Sequence, residues 1–358
     1  MTTSHSQGRI LLEDGTVLDG NMFGSMNSAA GEVVFNTGMV GYPEALTDPS
    51  YKGQILVFTY PLIGNYGIPA KMMGTEIDPY FESDRIQVAG LIVAEAAPKH
   101  NHWNSSKSLA SWLVEDDVPA ISGIDTRALT KKLRHKGSML GKILTPNGDQ
   151  RPFYDPNRDL LVDQVSIEEP RRYGDGDKTI ILIDCGCKLN IIRSLVAQAV
   201  TVVRVPWDYD FSDEKYDAVV ISNGPGDPEK CRPTIASIQK AFAKEKPILG
   251  ICLGNQLLAL AAGAGTYKMK FGHRSQNQPC IEVGSQRCYI TSQNHGFAVD
   301  NATIPSDWQP WFVNANDGTN EGLKHKSKPY FGVQFHPEAT PGPVDTRHIF
   351  SRFLSAVA

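Results

Sequence analysis

The chain has 358 residues, of which 41% are hydrophobic and 21% are charged, and its formal net charge at pH 7 is −4. This composition is typical of a globular protein with about two domains, and it excludes a disordered chain or a fibrous repeat. The negative net charge argues against nucleic-acid binding as the main function, and no apolar run approaches the ~18 residues that a membrane span needs.

Strand patterns dominate the first 150 residues. Asp14-Gly15 separates two short apolar runs, which predicts a hairpin. A helix that begins at the capping carboxylate of Asp125 is expected to end before Gly137. We predict strands at 10–12, 16–18, 32–35, 55–59 and 88–94, helices at 106–114 and 125–136, and hence a smaller, β-rich α/β domain over residues 1–150.

The second half of the chain has a different pattern. A polar stretch rich in Pro and Gly begins at about residue 148, and we predict that residues 151–177 are a linker. Apolar strands then alternate with helices, which indicates an α/β domain with a mainly parallel sheet flanked by helices over residues 178–358. Its predicted strands are 179–184, 201–205, 216–222, 247–251, 288–291, 297–299 and 330–335, and its predicted helices are 188–199, 233–243, 256–262 and 345–356.

The clearest functional motif is Gly250-Ile251-Cys252-Leu253-Gly254, between a predicted strand and a predicted helix. Glycines at these positions permit the strained turn of a nucleophile elbow, which exposes the central side chain at the carboxyl edge of the sheet. A sulfur at a helix N-terminus is also favoured as the thiolate. The alternative is a buried structural cysteine, and the glycine frame favours the nucleophile.

A nucleophilic thiol needs a base, and the base needs a group that orients it. His336 and Glu338 lie two positions apart at the end of a predicted strand, so their side chains can point the same way. Candidate oxyanion donors are the backbone N–H of Leu253 and a second N–H in the glycine-containing loop at 222–228. Taken alone, the segment at 336–338 and the loop at 222–228 are each also consistent with an ordinary loop.

These segments together resemble the class I (triad-type) glutamine amidotransferases. The resemblance rests on residues 250–256, the Ser-Asn-Gly-Pro-Gly-Asp-Pro loop at 222–228 and His-Pro-Glu at 336–338. Further motifs resemble the small, glutaminase subunit of carbamoyl-phosphate synthetase, at 31–38, 41–51, 124–127, 268–272, 277–279 and 293–299. The segments at 60–69 and 277–280 are similar to animal multifunctional pyrimidine-synthesis proteins. The resemblance covers nearly the whole chain and is weakest at about 148–177.

The resemblance implies a role for each matching residue. Cys252 would attack the side-chain amide of glutamine, His336 would relay protons and Glu338 would orient the imidazole. Gly224 and Leu253 would donate the oxyanion N–H groups. Because one pocket residue lies in the first domain, we expect the site near the interface of the two domains. The positions that match the glutamine pocket are Ser50, Gly224, Gly226, Leu253, Gln256, Asn294, Gly296 and Phe297.

The resemblance also implies a partner. Free ammonia is mostly protonated at neutral pH, so we expect its transfer to a carbamoyl-phosphate synthetase large subunit, or to fused synthetase domains, for pyrimidine or arginine synthesis. The first domain is expected to contact that partner. The chain has neither a dinucleotide fingerprint nor a Walker A sequence. We therefore expect no cofactor and no metal in this chain, with ATP and magnesium on the synthetase.

Two other functions stay open. One is an amidotransferase for another acceptor, such as anthranilate or guanylate synthesis, which the first-domain motifs disfavour. The other is a catalytically silent regulatory or scaffold domain, as in ammonia-dependent relatives that have lost the thiol. Cys252, His336 and Glu338 argue against silence. The residue after Gly254 is usually His in this family and is Asn255 here, and this departure keeps the silent interpretation open.

Several weaker features favour structural interpretations. None of the six cysteines forms a Cys-x-x-Cys pair and residues 1–15 contain no targeting peptide, which predicts a cytoplasmic protein with reduced thiols. We expect His100 and His102 to be exposed in a polar loop rather than to bind metal. Trp103 and Trp112 are predicted to lie in the core of the first domain.

Overall fold

The computed structural model describes residues 6–146 and 151–357. The chain forms two compact units, residues 1–159 and residues 160–358. The boundary that we predicted at residue 150 falls on a segment outside the described residues. In the described part of the chain, no helix combines the length and the apolar character that crossing a lipid bilayer requires.

The first unit is rich in β-structure, as predicted. In chain order its elements are β1 (Gln7–Leu12), β2 (Val17–Met22), β3 (Ala29–Asn36), α1 (Tyr42–Thr47), β4 (Gln54–Phe58), β5 (Leu62–Ile63), β6 (Ile68–Pro69), β7 (Gly90–Ile92), β8 (Glu95–Ala96), β9 (Ser105–Lys107), α2 (Leu109–Glu115), β10 (Ala120–Ser122), α3 (Thr126–Lys136) and β11 (Met139–Leu144). Seven strands close into a barrel in the order β1-β11-β3-β4-β7-β10-β2. Closure leaves these strands without a free sheet edge.

Local sequence signals account for the predicted hairpin and the longest helix of this unit. Strands β1 and β2 pair antiparallel around a turn in which Gly15 has a φ of +83°. The Asp125 carboxylate accepts a hydrogen bond from the Ala128 N–H at 2.8 Å and caps α3, which ends at Lys136, directly before Gly137. Both features are confirmed.

The expectation that Trp103 and Trp112 lie in the core of the first unit is only partly correct. Trp112 is buried in the core, but Trp103 is 86% exposed, so the prediction is wrong for Trp103. Trp103 lies in the irregular segment between β8 and β9, where its ring is tilted against His102, with 5.5 Å between the ring centroids, instead of packing in the core. His100 Nδ1 lies 2.6 Å from the Ser105 hydroxyl oxygen.

The second unit contains a ten-stranded sheet. In chain order its elements are β12 (Arg171–Tyr173), β13 (Thr179–Asp184), α4 (Leu189–Val196), β14 (Thr201–Pro206), β15 (Ala218–Ile221), α5 (Arg232–Phe242), β16 (Ile248–Ile251), α6 (Leu253–Ala262), β17 (Thr266–Glu282), β18 (Cys288–Val299), β19 (Trp308–Asn314), β20 (Asn320–His325), β21 (Tyr330–Val333) and α7 (His348–Leu354). The strand order is β12-β14-β13-β15-β16-β21-β20-β19-β17-β18.

This sheet has a parallel half and an antiparallel half. Strands β14, β13, β15, β16 and β21 are parallel neighbours, which confirms the predicted α/β arrangement. Helix α6 packs against this half through Leu257 and Leu258, which are completely buried. The remaining pairs are antiparallel, so the sheet is mixed rather than mainly parallel.

The stretch that we expected to be a linker is built into the two units. Pro156 is buried, and it lies where a side chain on Gly53 of the first unit would be. Leu161 and Val162 are buried in the second unit, and β12 pairs antiparallel with β14. The Pro and Gly residues of this stretch therefore mark turns and an edge strand, β12. An edge strand is held by backbone pairing and does not need an apolar sequence.

The turn between β16 and α6 leaves no space for side chains at its two glycines. A Cβ atom on Gly250 would lie 2.3 Å from the Gly254 carbonyl oxygen, and one on Gly254 would lie 2.1 Å from the Ile221 carbonyl oxygen. Close backbone approach between β15, β16 and α6 therefore requires glycine at both positions. This packing fixes the position of the residue between them, Cys252.

We expect Gly254→Ala to lower the free energy of unfolding by at least about 1–3 kcal/mol, because the new methyl group would overlap a backbone carbonyl. Gly265→Ala is the matched control, since its nearest neighbour is 3.5 Å from the new Cβ, and its effect should stay within about 0.5 kcal/mol. Urea unfolding measures both. Equal stability of the two variants would contradict the close approach.

Candidate active site

Cys252 occupies the turn between β16 and α6 in a strained backbone conformation. Its φ is +56° and its ψ is −105°, values that a residue with a side chain rarely adopts. Its N–H donates a hydrogen bond of 2.8 Å to the Val333 carbonyl oxygen at the end of β21. The side chain is buried beside the start of α6. These are the features of the nucleophile elbow that the glycine frame predicts.

The structure brings His336 and Glu338 to the same edge of the sheet. Strands β16 and β21 are parallel, with Ile251 opposite Val333, so the residues that follow both strands emerge together. His336 Nδ1 lies 2.7 Å from Glu338 Oε1, and both side chains are buried. The other ring nitrogen, Nε2, has no partner of good hydrogen-bond geometry in the part of the chain that the structure describes.

The charged states of His336 and Glu338 stabilise each other. Burial alone would lower the pKa of His336, but the Glu338 carboxylate and the Cys252 sulfur raise it above its usual range. Burial would raise the pKa of Glu338, but Lys188 and His336 hold it well below its usual range. A protonated imidazole beside the sulfur is the arrangement that favours a thiolate.

Lys188 is a third member of this buried group. Its Nζ donates hydrogen bonds to Glu338 Oε1 at 3.0 Å and to the Ala339 carbonyl oxygen at 2.8 Å. From the sequence, we placed Lys188 only at the start of a predicted helix. The available signal was its position, a cationic residue in the turn that follows a buried parallel strand, where functional side chains collect.

The segments that carry the two predicted oxyanion donors pack against each other. Leu253 is the first residue of α6, and the first N–H groups of a helix have no partner within it. Gly224 lies in the loop after β15. A Cβ atom there would be 2.8 Å from Leu253 Cδ2 and 2.0 Å from the Cys185 carbonyl oxygen. The loop backbone therefore runs directly against the start of α6.

Among the predicted pocket residues, Asn294 contacts the sulfur, and Gln256 and Phe297 contact each other. Cys252 Sγ lies 3.6 Å from the Asn294 carbonyl oxygen of β18. Gln256 Nε2 donates a hydrogen bond of 2.8 Å to the Phe297 carbonyl oxygen, and Gly296 lies between these two strand residues. Gly226, with a φ of +86°, lies two residues beyond Gly224.

Ser50 belongs to the first unit. It is buried, and its N–H donates to the Asp48 carboxylate at 2.9 Å. Its part in a glutamine pocket stays a prediction, as does the expected position of the site between the two domains.

A buried cluster of side chains on strands β17, β18 and β20 could hold a cation. Ligand atoms of His273, His295 and Glu321 lie within 4.8 Å of one another. His273 already contacts Glu321 Oε1 at 3.0 Å and Asp317 Oδ2 at 2.9 Å. Burial lowers the pKa of His295 well below its usual range, whereas the carboxylates outweigh burial and raise the pKa of His273. His273 therefore has a carboxylate partner at each of its ring nitrogens.

Comparison with known proteins identifies both units. Residues 181–356 match the model of the family "Glutamine amidotransferase class-I", and residues 10–143 match "Carbamoyl-phosphate synthase small chain, CPSase domain". The chain belongs to the carbamoyl-phosphate synthase small-chain family. The resemblance stated from the sequence motifs is thereby confirmed.

Three curated relatives illustrate the similarity. Multifunctional protein CAD of Squalus acanthias is 53% identical over 96% of this chain. Carbamoyl-phosphate synthase [ammonia], mitochondrial, of Homo sapiens and Multifunctional protein URA2 of Saccharomyces cerevisiae are each 49% identical over 97% of it. The chain spans only 16%, 23% and 17% of these three relatives, respectively.

We expect Glu338→Gln to lower the pKa of His336 by at least about one unit, because the neutral amide leaves burial unopposed. NMR titration of labelled imidazole measures this shift. Lys188→Met should not lower the pKa of His336, since the lysine charge itself acts to lower it. Glu282→Gln, which removes a carboxylate paired with Arg352, is the control. An unchanged pKa in Glu338→Gln would refute the charge arrangement.

Proposed function

We propose that this chain hydrolyses glutamine to glutamate and ammonia, and that a carbamoyl-phosphate synthetase uses the ammonia. The observation that carries the proposal is the placement of a cysteine on a strained turn beside a buried His–Glu pair. A thiol, a base and a group that orients the base are the parts that nucleophilic amide hydrolysis needs. Family membership supports the same chemistry.

In the first half-reaction, the Cys252 thiolate attacks the side-chain carbonyl carbon of glutamine and forms a tetrahedral adduct. The N–H groups of Gly224 and Leu253 stabilise the negative oxygen of this adduct. His336 gives its proton to the departing nitrogen, so ammonia leaves and a γ-glutamyl thioester remains. Glu338 stabilises the imidazolium and fixes its orientation.

In the second half-reaction, His336 accepts a proton from water, and the resulting hydroxide attacks the thioester carbon. The second tetrahedral adduct collapses, glutamate leaves and the Cys252 thiolate is restored. Lys188 acts on Glu338 and so positions the base indirectly. The residues proposed to bind the glutamine substrate around this centre are Ser50, Gly226, Gln256, Asn294, Gly296 and Phe297.

The acceptor of the ammonia is proposed from the family. Ammonia is mostly protonated, and then not nucleophilic, at neutral pH, so direct transfer to a synthetase avoids its loss. That synthetase would be a separate subunit or a fused part of a longer protein, and ATP and magnesium would bind there. We place the reaction in the first step of pyrimidine or arginine synthesis and in the cytoplasm, although three mammalian relatives are named as mitochondrial.

The second candidate function is a silent regulatory domain. The human relative carries "[ammonia]" in its name, which makes this alternative concrete. The thiol, the imidazole and the carboxylate are all present here with a 2.7 Å contact between the latter two, and this favours hydrolysis. An amidotransferase for another acceptor is disfavoured by the first unit.

We expect the purified chain to release glutamate from glutamine, and Cys252→Ser to lower kcat at least about 1,000-fold, because a serine hydroxyl is a far weaker nucleophile than a thiolate here. Cys288→Ser is the matched control, since Cys288 is an exposed thiol of the same unit, and its activity should equal that of the parent. A coupled glutamate dehydrogenase assay measures all three.

Equal activity of the parent and Cys252→Ser would contradict the mechanism. If neither releases glutamate, the assay is repeated with a carbamoyl-phosphate synthetase added. Activity that appears only with the partner supports a site that the synthetase completes. Continued inactivity would favour the silent domain.

A further inference from the structure

The side chain of Gln334 links the reacting sulfur to two neighbouring amides. Gln334 Nε2 donates a hydrogen bond to Cys252 Sγ at 3.7 Å. Its Oε1 accepts from Gln256 Nε2 at 3.1 Å and from Asn255 Nδ2 at 3.4 Å. All three amide side chains are buried. Gln334 thus connects Asn255, which lies three positions after Cys252 in the chain, to the Cys252 sulfur.

The orientation of the Gln334 amide follows from the chain of hydrogen bonds. The Phe297 carbonyl oxygen can only accept, so the Gln256 amide must turn its nitrogen toward it. The same nitrogen faces Gln334, which must therefore present its oxygen. With the oxygen fixed there, the Gln334 nitrogen is the atom that faces the sulfur.

Asn255 strengthens the same orientation. Its Nδ2 faces Gln334 Oε1, so the Gln334 oxygen receives two donors. Asn255 Oδ1 has no hydrogen-bond partner in the described part of the chain, and it occupies the space where a Cβ on Gly332 would be, 2.3 Å away. Reversing the Asn255 amide would bring two oxygens together at Gln334. The Asn255 nitrogen is therefore held toward Gln334.

We propose that Gln334 stabilises the Cys252 thiolate by donating a hydrogen bond to the sulfur, and that Asn255 and Gln256 hold its amide in the donating orientation. The inference deepens the proposed function, on which it rests for the role of Cys252. A hydrogen bond to a charged group is stronger than one to a neutral group, so the donor favours the thiolate over the thiol.

Titratable and charged groups also lie on the other elements packed around the sulfur. His336 lies on the segment after β21, with Glu338 and Lys188 behind it. On β18, His295 follows Asn294, and Arg274 of β17 pairs opposite Asn294. These groups are shared by all variants below, so a change between variants reports the amide.

The test measures the rate of Cys252 alkylation by iodoacetamide as a function of pH, with the modified peptide quantified by mass spectrometry. In Gln334→Met, which keeps the length and removes the donor, the midpoint should rise by about one pH unit. At a pH below both midpoints, this corresponds to roughly tenfold slower alkylation. Cys288, exposed and distant in sequence, is the internal control, and its midpoint should not move.

Gln334→Glu keeps the acceptor oxygen for Asn255 and Gln256 but replaces the donor with an acceptor, so its midpoint should rise by more than that of Gln334→Met. A structural role alone would slow alkylation at every pH without moving the midpoint. An unmoved midpoint in Gln334→Met overturns the proposal. If that variant does not fold, an unmoved or lowered midpoint in Gln334→Glu overturns it.

Alkylation does not need glutamine turnover, so this test separates the two proposals. A chain that shows the shifted midpoint but hydrolyses no glutamine retains the Gln334 role and loses the proposed function. A chain that hydrolyses glutamine, with unmoved midpoints, retains the function and loses the Gln334 role.

Discussion

The site depends on the burial of one carboxylate. Glu338 has no exposed surface, and an isolated ionised carboxylate in such a position would cost many kcal/mol. Lys188 and His336 both contact its Oε1 atom, at 3.0 Å and 2.7 Å. Removing one partner of such a buried pair typically costs about 3–5 kcal/mol. The three groups therefore keep one another ionised and hold the imidazole in a single place.

The fold brings these groups together because of parallel pairing. Lys188 follows β13, Cys252 follows β16, and Glu338 follows β21, and all three strands end at the same edge of the sheet. Lys188 and Glu338 are 150 residues apart in the chain. The strained turn at Cys252 then places the sulfur beside the imidazole, with the glycines on either side allowing the strands and α6 to approach closely.

Short-range signals in the sequence were sufficient for many of these features. The glycine frame around Cys252, the two-residue spacing of His336 and Glu338, and the hairpin at Asp14-Gly15 each depend on neighbouring residues, and the structure contains all three features. The predicted strands at 288–291 and 297–299 proved to be parts of one long strand, β18. Strands β17, β19 and β20 were not predicted, because they lie in the antiparallel half of the sheet and their sequences mix polar and apolar residues.

Contacts between distant residues were the part that sequence reasoning could not supply. No sequence motif around Lys188 indicates that its partner is Glu338. The orientation of the Gln334 amide likewise depends on groups from α6 and β18. The two sides of the sulfur also differ in physical character. On one side, Lys188, Glu338 and His336 respond to protonation. On the other side, Asn255, Gln256 and Gln334 are neutral amides whose dipoles do not change with pH. The Asn255 amide therefore orients Gln334 without adding a titrating group next to the nucleophile.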